Sequence, residues 1–235
     1  MAKDEWVEHQ RQAALTGLGR IAASAHTETT FTPVSQNPSL SHFQLLDAAR
    51  IAPIHTFGWP IGVFLERDEY RPRPRRDGIT AEVLWEERLT YDFWSLSLNG
   101  DFFLLKTMSE DALGHPEAIF FDTRIIRTCE RLLYCRRLYK ALGFPDDAVI
   151  DVRIAYVGLI SRVLKSAGRR LVTPKKSDED IADHLERILL SDIDDNLVGL
   201  VQKFCEPLFV LFDFFRVDES IYTELVDAFS AGEVK

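Results

Sequence analysis

Two periodicities of apolar residues along the chain predict a mixture of helices and strands. Apolar side chains recur at helical spacing in five segments, which predicts helices over residues 4–25, 39–52, 123–142, 191–215 and 220–229. Shorter runs rich in β-branched and aromatic residues predict strands over residues 27–34, 54–65, 79–85, 91–98, 102–108 and 149–159. One or two further short strands are expected within residues 162–172. The segment 181–190 fits either a helix or a strand.

Turn and cap residues mark the boundaries of several of these elements. Asn99-Gly100 is the strongest hairpin signal in the chain, because both residues readily adopt the positive φ that a tight two-residue turn requires. It predicts an antiparallel hairpin over residues 91–108. Similar signals at other boundaries are the helix-capping candidates Asp122 and Asp218, the helix-ending Gly143, and a turn at residues 36–38.

These elements together predict an α+β fold. A mixed or antiparallel sheet would contain the hairpin 91–108 at its centre, and the long helices 123–142 and 191–215 would pack against it. The helix 191–215 becomes apolar on nearly all sides, which predicts that it lies in the core. Residues 1–26 would form an N-terminal helical extension, and residues 27–235 a single domain.

The composition excludes several classes of protein. With 46% apolar residues in a chain of 235, there is enough apolar material for a core, so the chain is not predicted to be disordered. Its most hydrophobic stretch, residues 207–215, is far shorter than the roughly 20 residues of a membrane span, and we expect no membrane association. Three cysteines without a close pair, together with a polar N-terminus, predict free thiols and a cytoplasmic protein.

Charge is distributed unevenly along the chain. The formal net charge is −9, which makes the whole chain a poor non-specific partner for nucleic acid. Residues 177–235 contain 15 acids and 4 bases, whereas residues 1–176 contain 24 bases and 22 acids. The acidic C-terminal third therefore follows a nearly neutral body in which basic clusters can be recognised.

The first basic cluster, which we call the arginine ribbon, consists of Arg71, Arg73, Arg75 and Arg76. Pro72 and Pro74 would hold its backbone extended. Its guanidinium groups could bind phosphates or an acidic partner. The alternative is a solvated loop between two strands, because acidic residues close by dilute the positive charge.

The second basic cluster, the arginine stripe, consists of Arg124, Arg127 and Arg131 on the predicted helix 123–142. Their spacing of i, i+3 and i+7 places the three side chains on one face of that helix. Such a face could bind phosphate or nucleic acid. It could equally pair with the acidic C-terminal third of the chain or with a second subunit.

Candidate catalytic chemistry is sparse. His55, in the run Ile54–Gly62, is either a satisfied core histidine or a ligand-binding or catalytic residue. Asp213 lies among apolar residues and would need a partner if buried, which predicts an ion pair with a residue such as Arg124 or Arg127. Phosphate-binding glycine loops, nucleophile motifs and cysteine pairs at zinc spacing are not found in the sequence, so no catalytic residue, metal or cofactor is predicted.

Aromatic and glycine residues at several places carry a resemblance to a known family. They lie in His55-Thr-Phe-Gly-Trp-Pro-Ile-Gly62, Tyr91-Asp-Phe-Trp94, Asn99-Gly-Asp-Phe-Phe103, Phe120-Phe-Asp-Thr-Arg124 and Pro207-Leu-Phe-Val-Leu-Phe-Asp-Phe-Phe215. This pattern resembles the C-terminal region of bacterial proteins described as DNA-binding and ATP-binding, whose N-terminal part is a Schlafen-type Alba-like domain. The resemblance covers about residues 30–232.

The resemblance implies a limited set of expectations. It favours a strand at 181–190, and one of the runs that carry it contains the ligand-contact candidates His55 and Trp59. It implies an Alba-like partner domain that is absent from this chain, so that the chain would be an excised domain or a stand-alone relative. It supplies no chemistry that can be carried over residue by residue.

Three hypotheses about function follow. The first is a non-catalytic regulatory domain that senses a ligand or self-associates, as a homo-oligomer or with an Alba-like partner domain. The second is direct nucleic-acid binding through the arginine ribbon and the arginine stripe; under the first hypothesis any link to nucleic acid would be indirect. The third is a hydrolase that uses His55 together with a carboxylate.

Overall fold

An antiparallel sheet of seven strands forms the centre of the computed structural model, which describes residues 3–22, 25–34 and 39–234. Within the described residues there are nine strands, and all except β6 and β8 belong to this sheet. They are β1 (His26–Pro33), β2 (Arg73–Arg75), β3 (Gly78–Trp85), β4 (Thr90–Ser97), β5 (Phe102–Thr107), β6 (Ala118–Phe120), β7 (Val149–Val157), β8 (Val163–Lys165) and β9 (Ile181–Leu189). The helices are α1 (Lys3–Leu18), α2 (His42–Ile51), α3 (Ser109–Ala112), α4 (Phe121–Ala141), α5 (Leu190–Asp195), α6 (Leu197–Phe209) and α7 (Glu219–Ser230). An α+β fold is therefore confirmed.

The strand order places the threonine-rich strand β1 inside the sheet. The order is β2-β3-β4-β5-β1-β7-β9, and β1 pairs antiparallel with both β5 and β7. The predicted hairpin is confirmed as β4 and β5, and Gly100 in its turn has a φ of 88°. β6 and β8 form a separate parallel pair. The two outermost strands of the sheet are thus β2 and β9.

The main core lies between one face of the sheet and the helices α2, α4, α5, α6 and α7. α4 is the most deeply placed of these helices, and most of its residues are buried. On the opposite face, α1 packs Trp6 and Ala14 against Tyr91, Phe93 and Phe103 of the hairpin. On the same face, Leu185 of the edge strand β9 remains exposed.

Three predicted elements differ from the structure, and the first is the N-terminal helix predicted over 4–25, which ends at Leu18. Residues 54–65 form turns rather than a strand. The helix predicted over 191–215 is divided into α5 and α6, since Asn196 leaves the helical conformation with a φ of −143° after an aspartate-rich turn. α6 ends at Phe209, well short of residue 215.

The glycines explain why the apolar run 54–65 is not a strand. Gly58 and Gly62 have positive φ values of 58° and 60°, which extended strands do not use. At Gly62 a side chain would overlap the ring of Tyr134 on α4. The segment is therefore a loop held against α4, and we call residues 53–62 the aromatic loop.

The predicted helix caps and turns have different outcomes in the structure. Asp122 lies in the first turn of α4 instead of capping it, and its carboxylate accepts hydrogen bonds from the backbone of Ala167 and Gly168. Asp218 caps α7, and Gly143 follows α4 with a φ of 83°, as predicted. The predicted turn at 36–38 lies outside the described residues.

Two expectations from the sequence concern the cysteines, predicted to be free thiols, and the absence of a membrane span. Cys129, Cys135 and Cys205 are buried free thiols, and burial raises the pKa of Cys129 to about 12. Among the helices that the structure describes, none is long and apolar enough to cross a membrane.

Candidate functional site

A cavity of about 210 Å³ lies between the C-terminal end of β5, the short helix α3, the first half of α4 and the aromatic loop. Four basic side chains line it, namely Lys106, Arg124, Arg127 and Arg131. We call this cavity the cationic pocket. Such a concentration of buried positive charge is unusual, because a charge removed from water must be compensated by partners.

Three of the four cations have a carboxylate partner. Lys106 Nζ lies 2.8 Å from Asp92 Oδ2, and Arg124 Nη2 lies 2.8 Å from Glu110 Oε2. Arg127 Nη1 lies 2.6 Å from the Glu130 carboxylate, one turn further along α4. The three carboxylates are fully buried. Within each pair the two charges compensate each other, and the basic member lines the pocket.

Arg131 is the exception. Its side chain is only 1% exposed, and it donates hydrogen bonds to two hydroxyl groups, from Nε to Thr29 Oγ1 at 3.0 Å and from Nη2 to Thr27 Oγ1 at 2.8 Å. Among the described residues no carboxylate lies within ion-pair distance of it, and its Nη1 has no hydrogen-bond partner. Arg131 is therefore a buried cation whose charge is not paired.

The aromatic loop closes one side of the pocket through contacts with α4. Arg127 Nη1 donates to the Trp59 carbonyl at 2.9 Å, and the Ile61 amide donates to Glu130 Oε1 at 2.8 Å. The Trp59 indole donates to Asp92 at 3.1 Å, and its ring lies 5.7 Å from Lys106 Nζ. The loop, which looked like a strand in the sequence, therefore positions the indole beside the cations.

The rest of the lining is apolar or carries hydroxyl groups. Ile61, Met108 and Leu113 supply apolar surface, and Thr27, Thr107 and Ser109 supply hydroxyls. An organic anion would therefore find guanidinium groups for its charged end and an apolar wall for the remainder. Planar guanidinium groups suit carboxylate and phosphate oxygens because they donate parallel hydrogen bonds.

The electrostatics of the pocket reflect its burial. Burial lowers the pKa of Lys106, although the Asp92 carboxylate opposes that shift. Burial likewise lowers the pKa of Arg131, with only a partial offset from nearby acidic groups. A guanidinium does not lose its proton under ordinary conditions, so Arg131 stays charged. Both shifts mean that positive charge in the pocket is energetically unfavourable when no anion is bound.

The structure brings four of the predicted ligand-contact residues together and leaves five elsewhere. Trp59, Arg124, Arg127 and Arg131 all line the cationic pocket. The ribbon residues Arg71, Arg73, Arg75 and Arg76 are exposed in β2 and on either side of it in the sequence. β2 is the edge strand of the sheet, and β3 and β4 separate it from β5 and the pocket. His55 is exposed in the aromatic loop and does not line the cavity.

One expectation about charge is met only in part, and another is wrong. The stripe residues Arg124 and Arg127 pair with the buried Glu110 and Glu130 rather than with the acidic C-terminal third, but Arg136 on the same helix does pair with Asp194 of that third. Asp213 is not a buried ion pair: its side chain is 75% exposed, and it lies 3.3 Å from Lys175. Asp213 and Phe214 have positive φ values of 53° and 55°, in the turn that follows α6.

Sequence reasoning missed Lys106 and its partner Asp92. The available signal was a single basic residue in the otherwise apolar run Phe102-Phe-Leu-Leu-Lys-Thr107. A base at that position of a buried strand requires a carboxylate close by. Asp92 faces it directly across the hairpin.

Comparisons of the chain with protein-family models, with curated proteins and with solved structures found no match. Within the described residues, His, Cys, Asp and Glu side chains form no group of three or more that could hold a metal ion.

Proposed function

We propose that this chain is a non-catalytic ligand-sensing domain that binds a small anion in the cationic pocket. The observation that carries the proposal is Arg131, a buried guanidinium with no carboxylate partner at the wall of a cavity. An unpaired buried charge destabilises a fold, and it is tolerated where a ligand supplies the missing counter-charge.

The chemistry of the lining indicates the class of ligand. The ligand would carry a carboxylate or a phosphate toward the arginines and an apolar portion toward Trp59 and Met108. The Nε of Arg124 also has no hydrogen-bond partner, so a second guanidinium on the wall is incompletely satisfied. An anion of this kind would bind the stripe without requiring it to reach a nucleic-acid backbone.

The resemblance to the C-terminal region of Schlafen-type proteins supports a regulatory role within this proposal. A domain that binds a ligand beside a buried charge can couple occupancy to stability, because the unliganded state carries the uncompensated cation. Its output would then be transmitted to an Alba-like partner domain. Nucleic acid would be affected indirectly.

The substitution Arg131→Met tests the proposal. It removes the charge while keeping a side chain of comparable length, so the free protein should be at least as stable as the wild type. Phosphate and benzoate serve as probes at constant ionic strength. A probe at about 100 times its Kd should stabilise the wild type by about 2.7 kcal/mol and leave Arg131→Met unchanged.

The matched control is Lys140→Met on the same helix, because Lys140 is exposed and does not line the pocket. This variant should respond to the probes like the wild type. Thermal unfolding and isothermal titration calorimetry provide the two readouts. The proposal fails if Arg131→Met destabilises the free protein while its response to the anions is preserved, since Arg131 would then be a structural residue only.

A further inference from the structure

The outer edge of the sheet at β9 is unpaired in the described chain. β9 is nine residues long, contains no proline and pairs only with β7. Ile181, Leu185 and Leu189 on it are 55%, 59% and 39% exposed. A long edge strand with exposed apolar side chains and free backbone groups is a site at which another strand can pair.

The hydrogen bonds at the two ends of β9 show which residues present their backbone to the free edge. Gly158 N donates to Asp180 O, and Leu190 N donates to Ala148 O. In an antiparallel pair, alternate residues bond to the same neighbour, so the even-numbered residues of β9 bond to β7. The odd-numbered residues 181–189 therefore direct their amide and carbonyl groups away from β7, although the Leu189 amide already donates to Asp192 Oδ2 at 2.9 Å. The same residues carry the exposed side chains.

In the sequence of β9, Ile-Ala-Asp-His-Leu-Glu-Arg-Ile-Leu, two positions at equal distances from Leu185 carry either two apolar side chains or two complementary polar ones. We propose that β9 pairs antiparallel with β9 of a second copy of this chain, with a two-fold axis at Leu185. The two sheets would then join into one continuous sheet across an interface that uses the same strand on both sides.

In this register every facing pair on the exposed side is complementary. Asp183 of one copy faces Arg187 of the other, twice by symmetry, and Ile181 faces Leu189. Leu185 faces its own counterpart at the axis. Opposite charges and apolar pairs at directly facing positions stabilise antiparallel strands, whereas like charges there destabilise them.

The pairs on the inner side of β9 are complementary as well. Ala182 would face Ile188, and His184 would face Glu186. Within one chain His184 Nε2 already lies 3.0 Å from Glu186, and Lys203 of α6 lies 2.7 Å from the same carboxylate. The helical layer thus contacts the Glu186 carboxylate from the inner side of the sheet.

Other registers of the same edge are less favourable. An axis at Asp183 or at Arg187 would place two like charges opposite each other. An axis shifted by one residue from Leu185 would oppose charged and apolar side chains, for example Asp183 and Leu189. Only the register centred on Leu185 matches charge with charge and apolar with apolar along the whole strand.

Existing ion pairs extend the same pattern into the sheet. Arg187 lies 2.7 Å from Asp151 on β7, and Asp183 lies 2.7 Å from Arg153. In the dimer, Arg187 of one copy would have Asp151 on one side and Asp183 of the other copy on the other side. Charges of alternating sign would then continue across the interface.

The test uses two charge reversals that are repulsive alone and complementary together. Asp183→Lys leaves only positive charge at the two positions, and Arg187→Glu leaves only negative charge. Light scattering after size exclusion and native mass spectrometry should show a dimer for the wild type. Each variant alone should dimerise with a Kd raised at least about tenfold. An equimolar mixture of the two variants should form a heterodimer.

The matched control is Glu87→Lys, an exposed charge reversal near the opposite edge of the sheet, which should dimerise like the wild type. Circular dichroism would verify that every variant is folded. A wild type that stays monomeric up to about 100 µM overturns the proposal. So does an unchanged Kd in both variants, or a mixture that fails to associate.

Discussion

The chain contains two arginine clusters of similar composition, and the fold places them in opposite environments. The arginine ribbon is exposed at the β2 edge of the sheet, where Arg71 pairs with Asp68 in solvent. The arginine stripe is buried on α4, where Arg124 and Arg127 pair with buried carboxylates and Arg131 does not. Arginine clusters of four and three residues therefore have very different energetic consequences.

The neighbours of each cluster explain this difference. Prolines separate the ribbon arginines and keep their backbone extended along an edge, where the side chains reach water. The stripe alternates with Ile125, Cys129 and Leu132, which belong to the main core. A helix that buries apolar residues on this scale also carries its arginines inward. Whether an arginine cluster is buried or exposed to solvent thus depends on the apolar residues around it.

The largest effect should come from breaking a pair in which both partners are buried. Glu110→Gln keeps the shape of the side chain and leaves Arg124 as an uncompensated buried charge. We expect the free energy of unfolding to fall by about 3–5 kcal/mol. Urea denaturation measures it, with Glu117→Gln as the exposed control that should change stability little. A loss below about 1 kcal/mol would contradict the burial argument.

An intermediate effect should come from a pair in which only one partner is buried. Glu28 on β1 is 1% exposed and binds Arg11 of α1, whose side chain is 34% exposed. Burial alone would raise the pKa of Glu28, but hydrogen bonds from His26 and Arg11 lower it from 4.5 to about 2. A lowered folded-state pKa means that this stabilisation is present above pH 4.5 and is lost as the pH falls through 2.

Glu28→Gln is therefore expected to cost about 1.5–3 kcal/mol at neutral pH. The difference in unfolding free energy between the wild type and this variant should shrink steadily as the pH falls toward 2. Glu224→Gln, at an exposed ion pair with Arg170, provides the control. A difference that stays constant over the acid range would show that Glu28 titrates at its ordinary pKa.

The sequence was informative about the fold where local chemistry and packing agree. Asn99-Gly100 predicted the hairpin because turn geometry is a property of those two residues. It misled at 54–65, where an apolar run packs on α4 through Gly62 and never pairs with a strand. It also misled at 191–215, where Asn196 interrupts a segment that is otherwise apolar enough for one helix.

The candidate site could be predicted only in part, for a related reason. Helical spacing placed Arg124, Arg127 and Arg131 on one face, which is a local property of the backbone. Whether that face meets solvent depends on which elements pack against it, and no spacing rule contains this information. Lys106 was missed because its partner Asp92 lies 14 positions away in the sequence, and the exact register of the predicted hairpin decides which residues face each other.

The smallest effect should come from the ribbon, where both partners of an ion pair are exposed. The Arg71 side chain is 52% exposed and Asp68 84%, with Nε and Oδ1 separated by 3.0 Å. Solvent screens such a pair and side-chain entropy opposes it, so Arg71→Gln should change the unfolding free energy by less than about 0.5 kcal/mol. Urea denaturation at low and high salt would measure it beside Glu110→Gln. A loss of unfolding free energy above about 1 kcal/mol on Arg71→Gln would mean that packing contacts hold the ribbon in place. The two clusters would then differ in the identity of their partners and not in how deeply they are buried.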